Sequence, residues 1–336
     1  MNSRERVLAA FEHEEPDRVP RFEIWINDEI VAELGHRDLQ SAHVKLGLDC
    51  VMIPTRIPAG SNYWKDGLDE WGQVWKDGIY QRGVVDTEAD LEQYSPRLDY
   101  VDEFFDMESI KDTMKRYPDH CFIYGSHIGP FTMGYMAMGF KRFFLSLLER
   151  RAFVQKLLEA RTEWCISMCR KAVSLGADVV ILGDDAGYRS GPMISPQLWR
   201  EHVLPYHRRI VEELQVPVVW HSDGAIQSLL PIAVEAGFVG VHGLEPAAGI
   251  DLGEVKQAFG KDLVLIGNVD VRVLCNSDIE AIRAEVTRCI EQGAPGGGYM
   301  ISSCNSLFKG MEPGSIVEMY GYAAKIGRYG DSLSPV

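Results

Sequence analysis

Pro217-Val-Val-Trp-His-Ser-Asp-Gly224 reads as a short buried strand that stops at a polar cluster. Two β-branched residues and an aromatic following a proline carry the strand assignment over Pro217 to Trp220. His221 and Asp223 then stand at the strand's C-terminal end, where parallel α/β folds gather their chemistry. Two more metal-capable residues end later strands. Glu245 closes Val241-His-Gly-Leu-Glu245, and Cys304 closes Tyr299-Met-Ile-Ser-Ser-Cys304. His221, Glu245 and Cys304 together offer one imidazole, one carboxylate and one thiolate. That borderline-soft set leaves a fourth position open and suits catalytic zinc.

Outward from this stretch the same unit recurs. Strand-like segments lie at Arg21–Trp25, Cys50–Pro54, Cys121–Ser126, Asp178–Gly183, Pro217–Trp220, Gly240–Leu244, Leu263–Gly267 and Tyr299–Ser303, each followed by helical sequence. Alternation argues for a parallel sheet, and eight such units argue for closure into a (β/α)8 TIM barrel. The expectation is one α/β domain over residues 1–336, with an N-terminal helix over Ser3–His13. Residues 57–119 break the rhythm and read as an insertion between the second and third strands, packed on the barrel. A hairpin is expected at Gln73–Val85 and an acidic helical region at Glu88–Arg116. The aromatics Tyr63, Trp64, Trp71, Trp75 and Tyr80 either pack this insertion or line a substrate pocket, packing being the usual role of large aromatics.

A barrel brings all its strand ends to one mouth. Besides the three metal candidates, Asp184, Asp185 and Asp223 are expected there as acid/base or orienting groups. Trp25, Asn27, His127, Tyr188, Asn268 and Asn305 are the expected substrate contacts. Taken singly, a buried histidine or cysteine is ordinarily core; co-location at strand ends is what gives these residues weight. Cys165 and Cys169, four apart on a helix, and Met133, Met136 and Met138 read as packing. Gly296-Gly-Gly298 reads as a turn, because no lysine or helix follows as a phosphate loop requires.

Composition sets the class. The chain has 336 residues, of which 46% are hydrophobic and 25% charged, as in a globular protein with ample core. A net charge of −15 disfavours nucleic acid and anionic membranes as partners. No apolar run approaches the roughly 20 residues of a membrane helix. Seven scattered cysteines make no disulfide framework. With no apolar signal segment after Met1-Asn-Ser-Arg-Glu-Arg6, a cytoplasmic enzyme is expected.

Longer motifs resemble a known family. Arg4-Glu-Arg-Val-Leu-Ala-Ala-Phe-Glu12 with Pro16-Asp-Arg-Val-Pro20, and Leu265-Ile-Gly-Asn-Val-Asp270, resemble the uroporphyrinogen decarboxylase superfamily. His221-Ser-Asp-Gly224 and Ser302-Ser-Cys-Asn305 resemble its corrinoid-dependent methyltransferase branch. The resemblance implies a TIM barrel. It also implies zinc on a His-x-Cys pair plus a distant Cys, with an intervening Glu in the similar cobalamin-independent methionine synthases. The spacings of 24 residues from His221 to Glu245 and 83 from His221 to Cys304 suit that pattern. Asp223 departs from it, standing where the first Cys belongs; it either ligates zinc itself or, as the favoured expectation, orients His221.

The implied activity is zinc-dependent movement of a methyl group between a small molecule and a corrinoid (cobalamin). The corrinoid would be carried by a separate, transiently docked partner protein. A methoxylated aromatic ether is the favoured donor, because the set has one thiolate fewer than the thiol-alkylating pattern and the insertion is rich in aromatics. Two rivals stand: a metal-independent decarboxylase of the same superfamily, and a non-catalytic protein that binds a corrinoid or tetrapyrrole. A decarboxylase acting on a poly-acid would want several cations at the first strand, where Arg21-Phe-Glu-Ile-Trp-Ile-Asn27 supplies one.

Overall fold

A computed structural model describes residues 1–126 and 129–330. Seven strands form one curled parallel sheet in chain order: β1 (Cys50–Met52), β2 (Cys121–Ser126), β3 (Val179–Gly183), β4 (Val218–His221), β5 (Gly240–His242), β6 (Val264–Val269) and β7 (Tyr299–Ser303). Each joins the next through helical sequence, so the architecture is the expected TIM-barrel-like one.

The eighth position is filled differently from expectation. Arg21–Trp25 makes no continuous strand. Its backbone touches β7 through bonds from Phe22 N–H to Ile301 C=O (3.0 Å) and from Ile301 N–H to Pro20 C=O (2.9 Å). On its other side Asp49 N–H donates to Arg21 C=O at 2.8 Å, just before β1. The segment therefore bridges the sheet's two edges with too few bonds for a ladder. Pro20 has no N–H to give, and the Glu23 side chain draws the Ile24 N–H out of the pairing.

Strand alternation sorts the core. Cys50, Met52, Ile123, Val179, Ile181, Val219, Val264, Ile266 and Met300 fill the interior, while Val51, Val180, Leu182, Val218, Trp220, Val241, Leu265 and Ile301 face the helices. The same two-residue period puts His221, His242 and Ser302 on the interior side. Helix α1 (Ser3–Phe11) plugs the opposite end with Val7 and Ala10. There Arg6 and Arg18 bond the fully buried Asp49 at 2.7 Å. Burial alone would raise the Asp49 pKa, but Arg18 and Arg6 hold it below the usual carboxylate range.

Residues 57–119 carry a three-stranded antiparallel sheet (Gly67–Leu68, Gln73–Lys76, Ile79–Gly83), so the hairpin lies where expected. The acidic stretch breaks into Glu88–Gln93, a 3-10 turn at Leu98–Phe104, and Met107–Arg116, which leads directly into β2. Trp71 and Trp75 are buried, and Trp71 packs edge-on to Trp164 of α2 (Arg151–Ser174), with ring centroids 4.9 Å apart. The packing reading therefore holds for Trp75, while Trp71 both packs and lines a cavity. No helix among the described residues is long and apolar enough to cross a membrane.

Candidate active site

His221 ends β4 and faces the barrel interior beside His242, its register partner on β5. Their Nδ1 atoms lie 2.7 Å apart. The approach depends on Gly243, whose φ is +91°; a Cβ there would collide with the Ser222 carbonyl. His242 is fully buried, and burial, with the neighbouring His221, pushes its pKa well down.

His221 Nε2 lies 3.6 Å from Asp223 Oδ1. That oxygen is buried and has no hydrogen-bond partner. Asp185 completes the group: its Oδ1 accepts the Asp223 N–H at 3.0 Å. Among the described residues, Asp185, His221 and Asp223 are the metal-capable set whose ligand atoms all fall within 4.8 Å of one another. Burial raises the Asp223 pKa to about 6; His221 pulls against this, while Asp185 and Glu245 reinforce it. An orphaned carboxylate oxygen amid other carboxylates fits a cation, since a buried acceptor without a partner is otherwise costly.

Of the three ligands expected from sequence, only His221 belongs to that tight group. Glu245 accepts from Gly224 N–H and from Asn305 Nδ2, each at 3.2 Å. Cys304 is buried; burial pushes its thiol up to about 12, with Glu245, Asp270 and Asp223 adding to the rise. It therefore shares the field of the same acids, and a cation is what would make it a thiolate.

The other expected residues divide. Asp184 is fully buried: its oxygens accept from Phe131 N–H (3.2 Å) and Thr132 N–H (2.7 Å), and it holds His207 Nε2 at 2.7 Å. It caps the helix Pro130–Met138 and anchors His207, with no oxygen left for the mouth. Asn268 is likewise spent, donating to Leu244 C=O (2.9 Å) and accepting from Arg288 (3.1 Å). The Asn27 side chain caps the helix Asp28–Glu33. Tyr188 is exposed on a hairpin whose backbone bonds Ala225, next to the β4 loop. His127 lies outside the described residues.

Trp25 lines a cavity of about 490 Å³ together with Met52, Thr55, Trp64, Ser126 and His221. Thr55, Trp64 and Ser126 also line a second cavity of about 170 Å³, walled by Tyr63, Trp71, Phe104 and Trp164. The two therefore adjoin through these three residues, with the aromatic chamber next to the cavity that His221 lines. Trp64 is 46% exposed and stacks on Tyr63 at 4.9 Å, so the pocket-lining reading holds for this part of the insertion.

Sequence reasoning missed His242 and Glu23. Glu23 is fully buried and accepts from Tyr320 Oη (2.8 Å), Ser303 Oγ (3.1 Å) and Ile24 N–H (3.0 Å). Burial raises its pKa to about 8 against the pull of those bonds. The signal for His242 was strand alternation, which places it level with His221.

The chain matches the family model described as Uroporphyrinogen decarboxylase (URO-D) over residues 76–325. The methylcobamide:CoM methyltransferase MtbA of Methanosarcina acetivorans is 25% identical over 297 residues, 86% of this chain and 83% of that one. A methylated-thiol–coenzyme M methyltransferase of Methanosarcina mazei is 27% identical over 137 residues, 40% of this chain and 36% of that one. A uroporphyrinogen decarboxylase of Syntrophotalea carbinolica is 26% identical over 244 residues, 68% and 67% of the two chains. Among solved structures, a methyltransferase from Methanosarcina mazei superposes with a TM-score of 0.79 at 20% identity, covering 97% of this chain and 99% of that one.

Proposed function

The chain belongs to the uroporphyrinogen decarboxylase (URO-D) family, and on that premise we propose that it is a zinc-dependent methyltransferase. It moves a methyl group between a small molecule and the corrinoid of a separate partner protein. The observation that carries this reading is the orphaned Asp223 Oδ1 beside Nε2 of His221, a residue that lines a cavity. The similarity to a chain named methylcobamide:CoM methyltransferase supports the methyl chemistry and the corrinoid.

His221 and Asp223 are the proposed metal ligands, with Cys304 as the soft donor. Glu245, whose oxygens already hold Gly224 and Asn305, positions the loops instead. This exchanges the roles that the sequence suggested for Glu245 and Asp223. One nitrogen, one oxygen and one sulfur donor suit zinc and leave a position for substrate. When bound, zinc supplies Lewis acidity toward the heteroatom that carries the methyl group. The residues do the rest. Asp185 fixes the Asp223 loop, and the aromatic chamber seats the donor with its methyl group toward the open mouth, where the partner's corrinoid can approach in line.

A methoxylated aromatic ether is the favoured donor, because an apolar aromatic-walled chamber matches a ring. Among the described residues, the decarboxylase reading finds a single cation lining the two cavities, fewer than a poly-acid substrate wants. Arg18 and Arg6 are engaged with Asp49 at the barrel's other end, and Arg56 is the cation that lines the chamber.

The test mixes the protein with a reduced corrinoid and, in turn, methoxylated aromatics, methylamines, methanol and methylated thiols. Corrinoid methylation is followed by absorbance. Methylation with an aromatic ether as best donor is the expected result. Release of carbon dioxide from carboxylated substrates, with no methyl transfer, would replace this reading by the decarboxylase one.

A further inference from the structure

The chain carries 49 acidic against 34 basic residues. Yet among the described residues no carboxylate lines either of the two adjoining cavities, and the cation that does is Arg56, in the aromatic chamber. Arg56 is held at both ends. Its backbone N–H donates to Phe104 C=O at 2.9 Å, and its Nε donates to Glu103 C=O, also at 2.9 Å. Both acceptors belong to the 3-10 turn Leu98–Phe104. Among the described residues no acid pairs with the guanidinium. Asp106 feels its charge, but Asp106 spends its oxygens on Glu108 N–H, Ser109 N–H and Ser109 Oγ.

An arginine keeps its proton at any ordinary pH. Arg56 is exposed, so a ligand has to offer it more than water does. A carboxylate does so: with Nε committed, the two terminal nitrogens form a planar fork that matches two oxygens. The remaining walls set what carries that carboxylate. Tyr63, Trp64, Phe104 and Trp164 present ring surfaces, which suit a flat apolar ring. Trp71 and Gln73, both buried, line the chamber too, and the indole N–H of the first and the amide oxygen of the second have no hydrogen-bond partner. A buried donor and acceptor left open are costly, so the chamber favours a ring with polar substituents over a bare hydrocarbon.

We propose that Arg56 is a specificity-determining residue and that the chamber takes an aromatic monocarboxylate, its carboxylate on the Arg56 fork. That this ligand is the methyl donor rests on the functional reading above; that it binds does not. Arg56 lines the aromatic chamber and His221 the neighbouring cavity, while Thr55, Trp64 and Ser126 line both. A ring anchored at Arg56 therefore extends its other substituents past these three residues in the direction of His221.

The test compares para-methoxybenzoate with para-methoxybenzamide, two probes of one shape and different charge, by quenching of tryptophan fluorescence and by isothermal titration calorimetry. Wild type should bind the acid about tenfold more tightly than the amide, the effect of a charge-assisted pair. Arg56→Gln should lose that preference and keep the wild-type affinity for the amide, which reports an intact chamber. Equal affinities in the wild type, binding of neither probe, or an acid preference that survives in Arg56→Gln would overturn the proposal. Should Arg56→Gln fail to fold, Arg56→Lys keeps the charge without the fork and should cut the preference; an undiminished preference there overturns it as well. Adding a reduced corrinoid separates this site from the functional reading. Arg56-dependent binding of the acid without methyl transfer leaves the site standing and removes the methyltransferase. Methyl transfer from the amide as readily as from the acid does the reverse.

Discussion

Asp223 Oδ1 lies 3.6 Å from His221 Nε2, buried and without a hydrogen bond. Glu245, one loop away, has both oxygens engaged. Asp223→Asn should therefore lower zinc affinity by more than Glu245→Gln. Loss of an orienting group ordinarily costs about 10–100-fold, and loss of a ligand at least that. Chelator competition on the two variants gives the ranking; the reverse order would restore Glu245 to the ligand set.

Trp64 lines both cavities, between the aromatic chamber and His221. Trp64→Ala should raise KM for an aromatic donor about tenfold, the effect of losing roughly 1.4 kcal/mol of ring contact. Zinc content should not change. Steady-state kinetics beside metal analysis separates the two effects.

Glu23 is an acid whose pKa the fold raises from 4.5 to about 8. Between those values the folded state holds a proton that the unfolded state has released. Stability should therefore fall as pH rises through this window, by up to about 1.4 kcal/mol per pH unit, relative to Glu23→Gln. Urea unfolding of both proteins from pH 5 to pH 8 gives the two slopes. Parallel slopes would mean that Glu23 is ionised throughout.

Much of this was legible in sequence, and the failures have physical causes. Seven of the strands stand where their β-branched runs put them. Arg21–Trp25 did not become a strand, because the pattern shows which residues are apolar and not where their N–H groups go. Asp184 and Asp185 look alike in sequence. Only the fold shows that the helix at Pro130 and His207 take up the first and leave the second for the Asp223 loop. His242 drew no reading from the sequence, because its pairing with His221 is a matter of register between two strands.

Asp49 is held by Arg6 and Arg18 at the end of the barrel away from the mouth. Asp49→Asn leaves the buried Arg6 and half-buried Arg18 without that counter-charge and should destabilise the fold by about 3–5 kcal/mol. The folded fraction should keep its zinc. Denaturant unfolding with metal analysis of the folded pool checks both halves.

The central claim is a zinc ion bound through His221. Its most direct test is the metal content of purified wild type and His221→Ala, measured by inductively coupled plasma mass spectrometry after dialysis. The account predicts about one zinc per chain in the wild type and its loss from a His221→Ala variant that still folds. A wild type reconstituted with zinc that holds none, or a His221→Ala variant that keeps its full complement, would contradict it.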